Sequence, residues 1–453
     1  MKKIIKNLNT FLKEGNVRSI KAKKNILLSF AASVLAIAIS FIFVPLLLEY
    51  LDAERYGIWL TMTSIVGWFT FFDGGLGKGL KNNLVIALSK DNKILAREYI
   101  STTYAILSGV FFILLVVLYS INPILEWKKI LNVKSISERE LSLLALVVFT
   151  FFFLRFILKI IEVVSDAKQE PAINKFFAPI ASVLSLIAIL ILIKTTQSNL
   201  VLLGFILSFT PVLVLCIATI ILFGIRYKDL KPSYRLVKIK HVRELSVLGG
   251  KFFFIQISRL VLFSLSSFLI IQYLGPEEVA QYNIALKYFQ APVMVYGIVM
   301  TPIWAATTDA YVKGDMHWLK NVLRKLNILS VLFVLGIILM YFIGDWVYRI
   351  WLNDAIEIPT VLNISMMFYA IVTVILSPYS QFINGFGKLV LSIRITIFKI
   401  ALFIPIAILF LKSPLGVAGV MVTTVLFSIL SSPFYIIQVN KIINNKAEGT
   451  WFK

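Results

Sequence analysis

"ILLSFAASVLAIAISFIFVPLLL" runs from Ile26 to Leu48, about 23 residues without a charge. At 1.5 Å per residue, a helix of that length crosses the ~30 Å hydrocarbon core of a bilayer. A secretory leader has a shorter apolar core, roughly 7–15 residues, and a small-residue cleavage site. This stretch is therefore read as a retained first span. Before it, Ile4, Ile5, Leu8, Phe11 and Leu12 recur at helical spacing among lysines. They form either an interfacial amphipathic helix or a basic tail.

The pattern repeats along the chain. Apolar stretches long enough to span fall at 26–48, 57–88, 99–120, 141–164, 176–194, 200–223, 247–274, 281–306, 327–344, 360–382, 393–411 and 416–438. With 59% hydrophobic and 15% charged residues, no soluble domain could hide so much apolar surface. The fold class is all-α: a polytopic membrane protein of twelve transmembrane helices in two six-helix halves. The net charge of +22 follows from topology, because cytoplasmic loops collect Lys and Arg, and nucleic acid is excluded as a partner. With the N-terminus inside, the inside segments hold about 28 Lys and Arg and the outside loops about 8. Both termini are thus expected in the cytoplasm.

The basic loop "FGIRYKDLKPSYRLVKIKHVRELS" (Phe223–Ser246) divides the halves. The expected organisation is a basic segment 1–25, a first half 26–223, a linker 224–246, a second half 247–438 and a tail 439–453. Two short matches suggest that the halves are copies. "EYLDAERYGIW" (Glu49–Trp59) matches "QYLGPEEVAQYNIA" (Gln272–Ala285) if a three-residue gap is allowed, and "ALSKDNK" matches "AYVKGDM". Parallel repeats of this kind are a transporter architecture with a cavity at the repeat interface.

The chemistry is sparse. Cys216 is the one cysteine, so no intrachain disulfide or multi-cysteine metal site is available, and His241 and His317 lie far apart in loops. No catalytic constellation and no metal site is expected. "FFDGGLGKGLKN" (Phe71–Asn82) looks like a phosphate loop but fails the test. A Walker loop needs glycine at position 72, which is Phe72, and Ser or Thr at position 79, which is Gly79. Gly75, Gly77 and Gly79 are instead read as helix-packing or helix-breaking positions. Asp73 falls inside the second span, and an intramembrane charge costs ~2.5–3.5 kcal/mol on insertion scales, so it needs a partner or water. Lys78 and Lys81 fall near the cytoplasmic boundary.

Span four carries Arg155, Lys159 and Glu162 at i, i+4 and i+7, one helix face. Arg259 in span seven and Lys287 in span eight add to a mainly cationic buried set. A cationic lumen attracts anions, and Arg and Lys suit phosphate. Arg155, Lys159, Arg259 and Lys287, with Lys78 and Lys81 at the mouth, are the candidates for an anionic, phosphate-bearing substrate. Asp73, Asp309 and Glu162 are the candidates for binding a coupling ion.

"ERYGIWLTMTSIVGWFTFFDGGLGKGLKNNLVIALSKDN" (Glu54–Asn92) and "MTPIWAATTDAYVKGDMHWLK" (Met300–Lys320) closely resemble the second- and eighth-span regions of bacterial polysaccharide repeat-unit flippases of the O-antigen, or Wzx, type. That family shares a superfamily with multidrug exporters of the MATE type and with lipid II flippases. The resemblance implies translocation of an undecaprenyl-diphosphate-linked glycan from the inner to the outer leaflet of the bacterial cytoplasmic membrane. It implies alternating access and coupling to H+ or Na+. Membrane lipids, a polysaccharide polymerase and chain-length proteins are the implied partners, and no other cofactor is. The alternatives are a small-molecule exporter of the same fold or a membrane enzyme of polysaccharide assembly. The longest outer loop, about 20 residues (Ile121–Glu140), has no acid/His constellation for the latter.

The orientation is directly testable. A cysteine placed at Lys129 should react with an impermeant thiol reagent on intact cells, and one placed at Lys238 should react only after lysis. The reverse pattern would invert the topology.

Overall fold

The computed structural model describes residues 17–69, 76–168, 170–242, 244 and 265–452. Among these there is no strand. The helices are α1 (Val17–Tyr50), α2 (Ala53–Trp68), α3 (Leu76–Ser89), α4 (Lys93–Ile121), α5 (Glu138–Leu158), α6 (Ile160–Ala167), α7 (Pro171–Thr195) and α8 (Leu200–Ile221). After the linker come α9 (Leu265–Tyr273), α10 (Pro276–Val312), α11 (Met316–Leu352), α12 (Thr360–Phe386), α13 (Val390–Leu411) and α14 (Ala418–Ile443). Eight candidate spans among the described residues are long and apolar enough to cross a membrane. Helices are what lipid permits, because each satisfies its backbone within one segment.

The chain packs as two units that do not follow its covalent halves. One holds the described residues up to Leu46, then Val66–Lys128 and Lys134 to the end of the linker. The other holds Leu47–Ile65, Lys129–Val133 and the described residues after Ser258. A close backbone approach explains why the α1–α2 turn belongs to the second unit. A Cβ built on Gly57 would lie 1.7 Å from the Pro276 carbonyl oxygen. Only glycine allows α2 to meet the start of α10 there. Tyr56 and Trp59 beside it are buried. The Asn132 amide donates to the Ile271 carbonyl at 3.0 Å, fastening the 129–133 loop to the end of α9.

The two sequence matches correspond to duplicated turns, and no gap is needed. α1 ends at Tyr50 and α2 starts at Ala53; α9 ends at Tyr273 and α10 starts at Pro276, 223 positions on in both cases. The same offset relates the turns of the second match. Asp91 (φ 51°) and Gly314 (φ 71°) both take left-handed backbone. Asn92 caps α4 by accepting from Leu95 N–H, and Asp315 caps α11 by accepting from Trp318 N–H. Asn92 N–H bonds the Ala87 carbonyl and Asp315 N–H the Ala310 carbonyl, each at 2.9 Å. The gapped alignment fails because it pairs Tyr56 with Tyr282, whereas the fixed offset places Tyr282 opposite Trp59.

The basic linker is fastened to its own unit by side chains. Buried His241 lies 2.9 Å from Glu98 and 3.2 Å from Glu244, and Tyr99 donates to Glu244. Lys93 pairs with Asp229 at 2.8 Å. Ser233 N–H donates to Ser101 Oγ and Lys238 N–H to Thr102 Oγ1. Hydrogen bonds from His241 and Tyr99 hold the Glu244 carboxyl below its ordinary value, and the Lys93 ammonium does the same for Asp229. Both contributions are present above the ordinary carboxylate range and are lost as pH falls through the lowered values.

Two outcomes follow. Gly57→Ala should lower stability by about 3 kcal/mol or more, because backbone rather than a flexible side-chain tip must yield. Gly67→Ala, which meets nothing within 4 Å, should be neutral or slightly stabilising. Thermal unfolding of the two purified variants in detergent compares them. Amide exchange across 228–242, corrected for intrinsic rates, should rise as pH falls below the ordinary glutamate value of 4.5. In Glu244→Gln that acid-induced rise should be smaller.

Candidate functional site

α5 and α6 meet at Lys159, a one-residue turn whose backbone stays right-handed helical. Lys159 sits at the junction in a tightened turn, with Lys159 N–H bonding the Arg155 carbonyl and Glu162 N–H bonding the Lys159 carbonyl, both at 3.0 Å. No proline causes this interruption. A cavity of about 190 Å³ opens beside it, lined by Arg155, Glu162, Phe43, Phe177, Ser182, Ser185 and Pro211 among others. All of these belong to the first unit.

The Arg155 Nε is buried and makes no hydrogen bond. A buried donor left unbonded costs about 1–3 kcal/mol, more for a charged group, so this one calls for a polar partner in the cavity. Arg155, Lys159 and Lys175 bring positive charge to the Glu162 carboxylate, and Asp166 brings negative charge. Ser185 and Thr210 hydroxyls bond to each other in the buried wall. The cavity is smaller than typical ligand sites of roughly 300–1,000 Å³. It can take a few waters or a compact anion.

The glycine-rich motif reaches this place through Lys81. Its ammonium pairs with Asp166 Oδ2 at 2.8 Å, joining α3 to α6. Asn174 of α7 closes the arrangement by donating to the Glu162 carbonyl and to Asp166 Oδ1, both at 2.8 Å. Phe69, just before the motif, packs edge-on against Phe149 and Phe153 of α5. Phe111 of α4 stacks on Phe153 and meets Phe156. An aromatic wall thus backs the helix that carries Arg155. Asp166, Asn174 and Lys175 were not singled out in the sequence. Asp166 had a readable signal: it follows Glu162 at i+4, on the same face.

The remaining candidates are dispersed. Gly77 and Gly79 lie within α3, which begins at Leu76, and Lys78 lies in the same helix. Asp73, Gly75 and Arg259 lie outside the described residues. Lys287 is partly buried on α10 in the second unit. Asp309 is exposed near the end of α10 and pairs with Lys313 at 2.7 Å. The structure therefore brings Arg155, Lys159, Glu162 and Lys81 together and leaves Asp309 at the helix end. Among the described residues no group of three His, Cys, Asp or Glu could hold a metal ion.

Residues 22–305 match the family described as "Polysaccharide biosynthesis protein". A putative O-antigen export protein of Yersinia pseudotuberculosis is 20% identical over 366 residues, 80% of this chain and 82% of that protein. A putative O-antigen transporter of Salmonella typhi is 23% identical over 333 residues, 72% and 74% of the two chains. Among solved structures, an inward-facing multidrug-resistance MATE family transporter of the MOP superfamily superposes with a TM-score of 0.71 at 13% identity, over 93% of this chain and all of that one. The fold is thus MATE-like.

Proposed function

Because the chain belongs to the polysaccharide biosynthesis protein family, we propose that it is a transporter that carries lipid-linked oligosaccharide units across the bacterial inner membrane. In the finer reading, the cargo is an undecaprenyl-diphosphate-linked repeat unit and the movement is by alternating access. The polymerase that would use the flipped unit is the natural partner.

The observation that carries the finer reading is the buried, unsatisfied Arg155 Nε at the cavity beside the α5–α6 junction. A guanidinium presents a planar fork of donors that suits phosphate oxygens. Lys159 one turn on adds a second cation. The cavity volume suits a phosphate group and not a glycan, so the sugars would lie outside it. Glu162, within the electrostatic reach of Arg155 and Lys159, supplies a group that a proton could neutralise. In this reading an anion and a protonated Glu162 favour the same arrangement, which couples them. Asp309 fits ion coupling less well, being exposed and already paired with Lys313.

Arg155→Gln and Lys159→Gln should each reduce surface polysaccharide about tenfold or more, from loss of a charge-assisted contact worth ~1.5–3 kcal/mol, while membrane levels stay normal. Arg155→Lys should retain part of the export. Normal export from Arg155→Gln would remove the cavity from the mechanism. In proteoliposomes, Glu162→Gln should lose the dependence of flipping on the ion gradient; an unaltered dependence would exclude Glu162 as the coupling group.

A further inference from the structure

A second recess lies in the other unit, between the first turns of α11 and the last turns of α14. It has a volume of about 490 Å³ and is lined by Lys320, Arg324, Ile328, Val331, Asn440 and Asn444 among others. Lys320 and Arg324 are one turn apart on one face and exposed. Neither forms an ion pair among the described residues. Across the recess, Asn444 donates to the Asn440 carbonyl at 2.9 Å.

The face of α11 below these cations tells what solvent it meets. Ile328, Val331, Leu335, Leu339, Phe342 and Trp346 follow at i+3 and i+4 intervals, and each is more than half exposed. From Arg324 to Trp346 is 22 residues, ~33 Å of helix, close to the ~30 Å hydrocarbon thickness. Basic residues at one end and tryptophan at the other are the usual anchors of a lipid-facing stripe. The recess therefore sits where acyl chains meet headgroups, with its cations at the headgroup level.

We propose that this recess binds the headgroup of an anionic phospholipid of the cytoplasmic leaflet, its phosphate against Lys320 and Arg324 and its acyl chains along Ile328 and Val331. Charge complementarity selects the lipid class, since anionic lipids are drawn to juxtamembrane basic groups. The apolar floor favours a lipid over free phosphate, because a small anion would leave Ile328 and Val331 uncovered. Asn440 and Asn444 add neutral polar groups at the rim, suited to headgroup oxygens. The recess lies in the unit that does not contain Arg155, so this inference does not rest on the transport reading.

The test is native mass spectrometry of the full-length protein released from nanodiscs holding equal phosphatidylglycerol and phosphatidylcholine. Wild-type protein should retain phosphatidylglycerol in preference. The Lys320→Gln/Arg324→Gln double variant should lose that preference about tenfold. Lys325→Gln, the same change in charge outside the recess, should keep it, as should Lys320→Arg/Arg324→Lys. Asn440→Asp/Asn444→Asp, which adds negative charge at the rim without touching the cations, should lose it too. Millimolar inorganic phosphate should leave the preference intact. Undiminished preference in the double variant, equal loss in Lys325→Gln, or displacement by inorganic phosphate would each overturn the assignment.

Discussion

Hydrocarbon offers no hydrogen bonds, and this constraint governs everything else in the molecule. It forces the backbone into helices and makes most side chains interchangeable. It also makes every exception costly. In a chain with 59% hydrophobic residues, a charge within a span is the most informative residue type. The α5–α6 junction concentrates such exceptions: two bases, two acids and an interrupted helix, backed by phenylalanines and closed by Asn174. Lys81, Asp166 and Asn174 bond one another beside it, with the Asn174 Oδ1 left unbonded. Arg155 stands partly outside that settlement, with its Nε unbonded. An unbonded cationic donor beside such a network is what the proposed anion site needs.

The helical class was legible because hydropathy reads the apolar middle of each span. The ends were less so. The apolar stretch 327–344 sits inside a helix running from Met316 to Leu352. The helix extends past its hydrophobic part because Asp315 caps it, and backbone hydrogen bonds propagate through polar residues once a turn exists. The repeat was partly legible. Its turns share Tyr-Leu and acidic residues, but the strict offset emerged from the caps and left-handed positions, which sequence disguises as Asp91 in one copy and Gly314 in the other.

The charged site was legible as a face and not as a place. Spacing put Arg155, Lys159 and Glu162 on one side of a helix, but no local signal announces an interruption at Lys159. Nor does spacing say that Lys81, 85 residues before Asp166, will pair with it. Such contacts are set by tertiary packing, here of α3 and α7 on α6. His241 is a similar case. In sequence it is a loop histidine, and in the fold it is a buried fastener between Glu98 and Glu244. The linker it belongs to thus reads as a tether and behaves as a strapped segment.

The duplicated turns also show what the halves have ceased to share. α5 with α6 in the first copy corresponds to α12 in the second: Glu138 opens one and Thr360 the other, at nearly the same offset as the turns. α12 runs unbroken from Thr360 to Phe386 through Pro378 and contains no Asp, Glu, Lys or Arg. Its counterpart bears the interruption and the charges. A duplicated scaffold supplies two equivalent positions, and one of them could remain a plain lipid-compatible helix while the other specialised. Equivalence of position along the chain is thereby uncoupled from equivalence of labour, and each copy serves as a built-in control for the other.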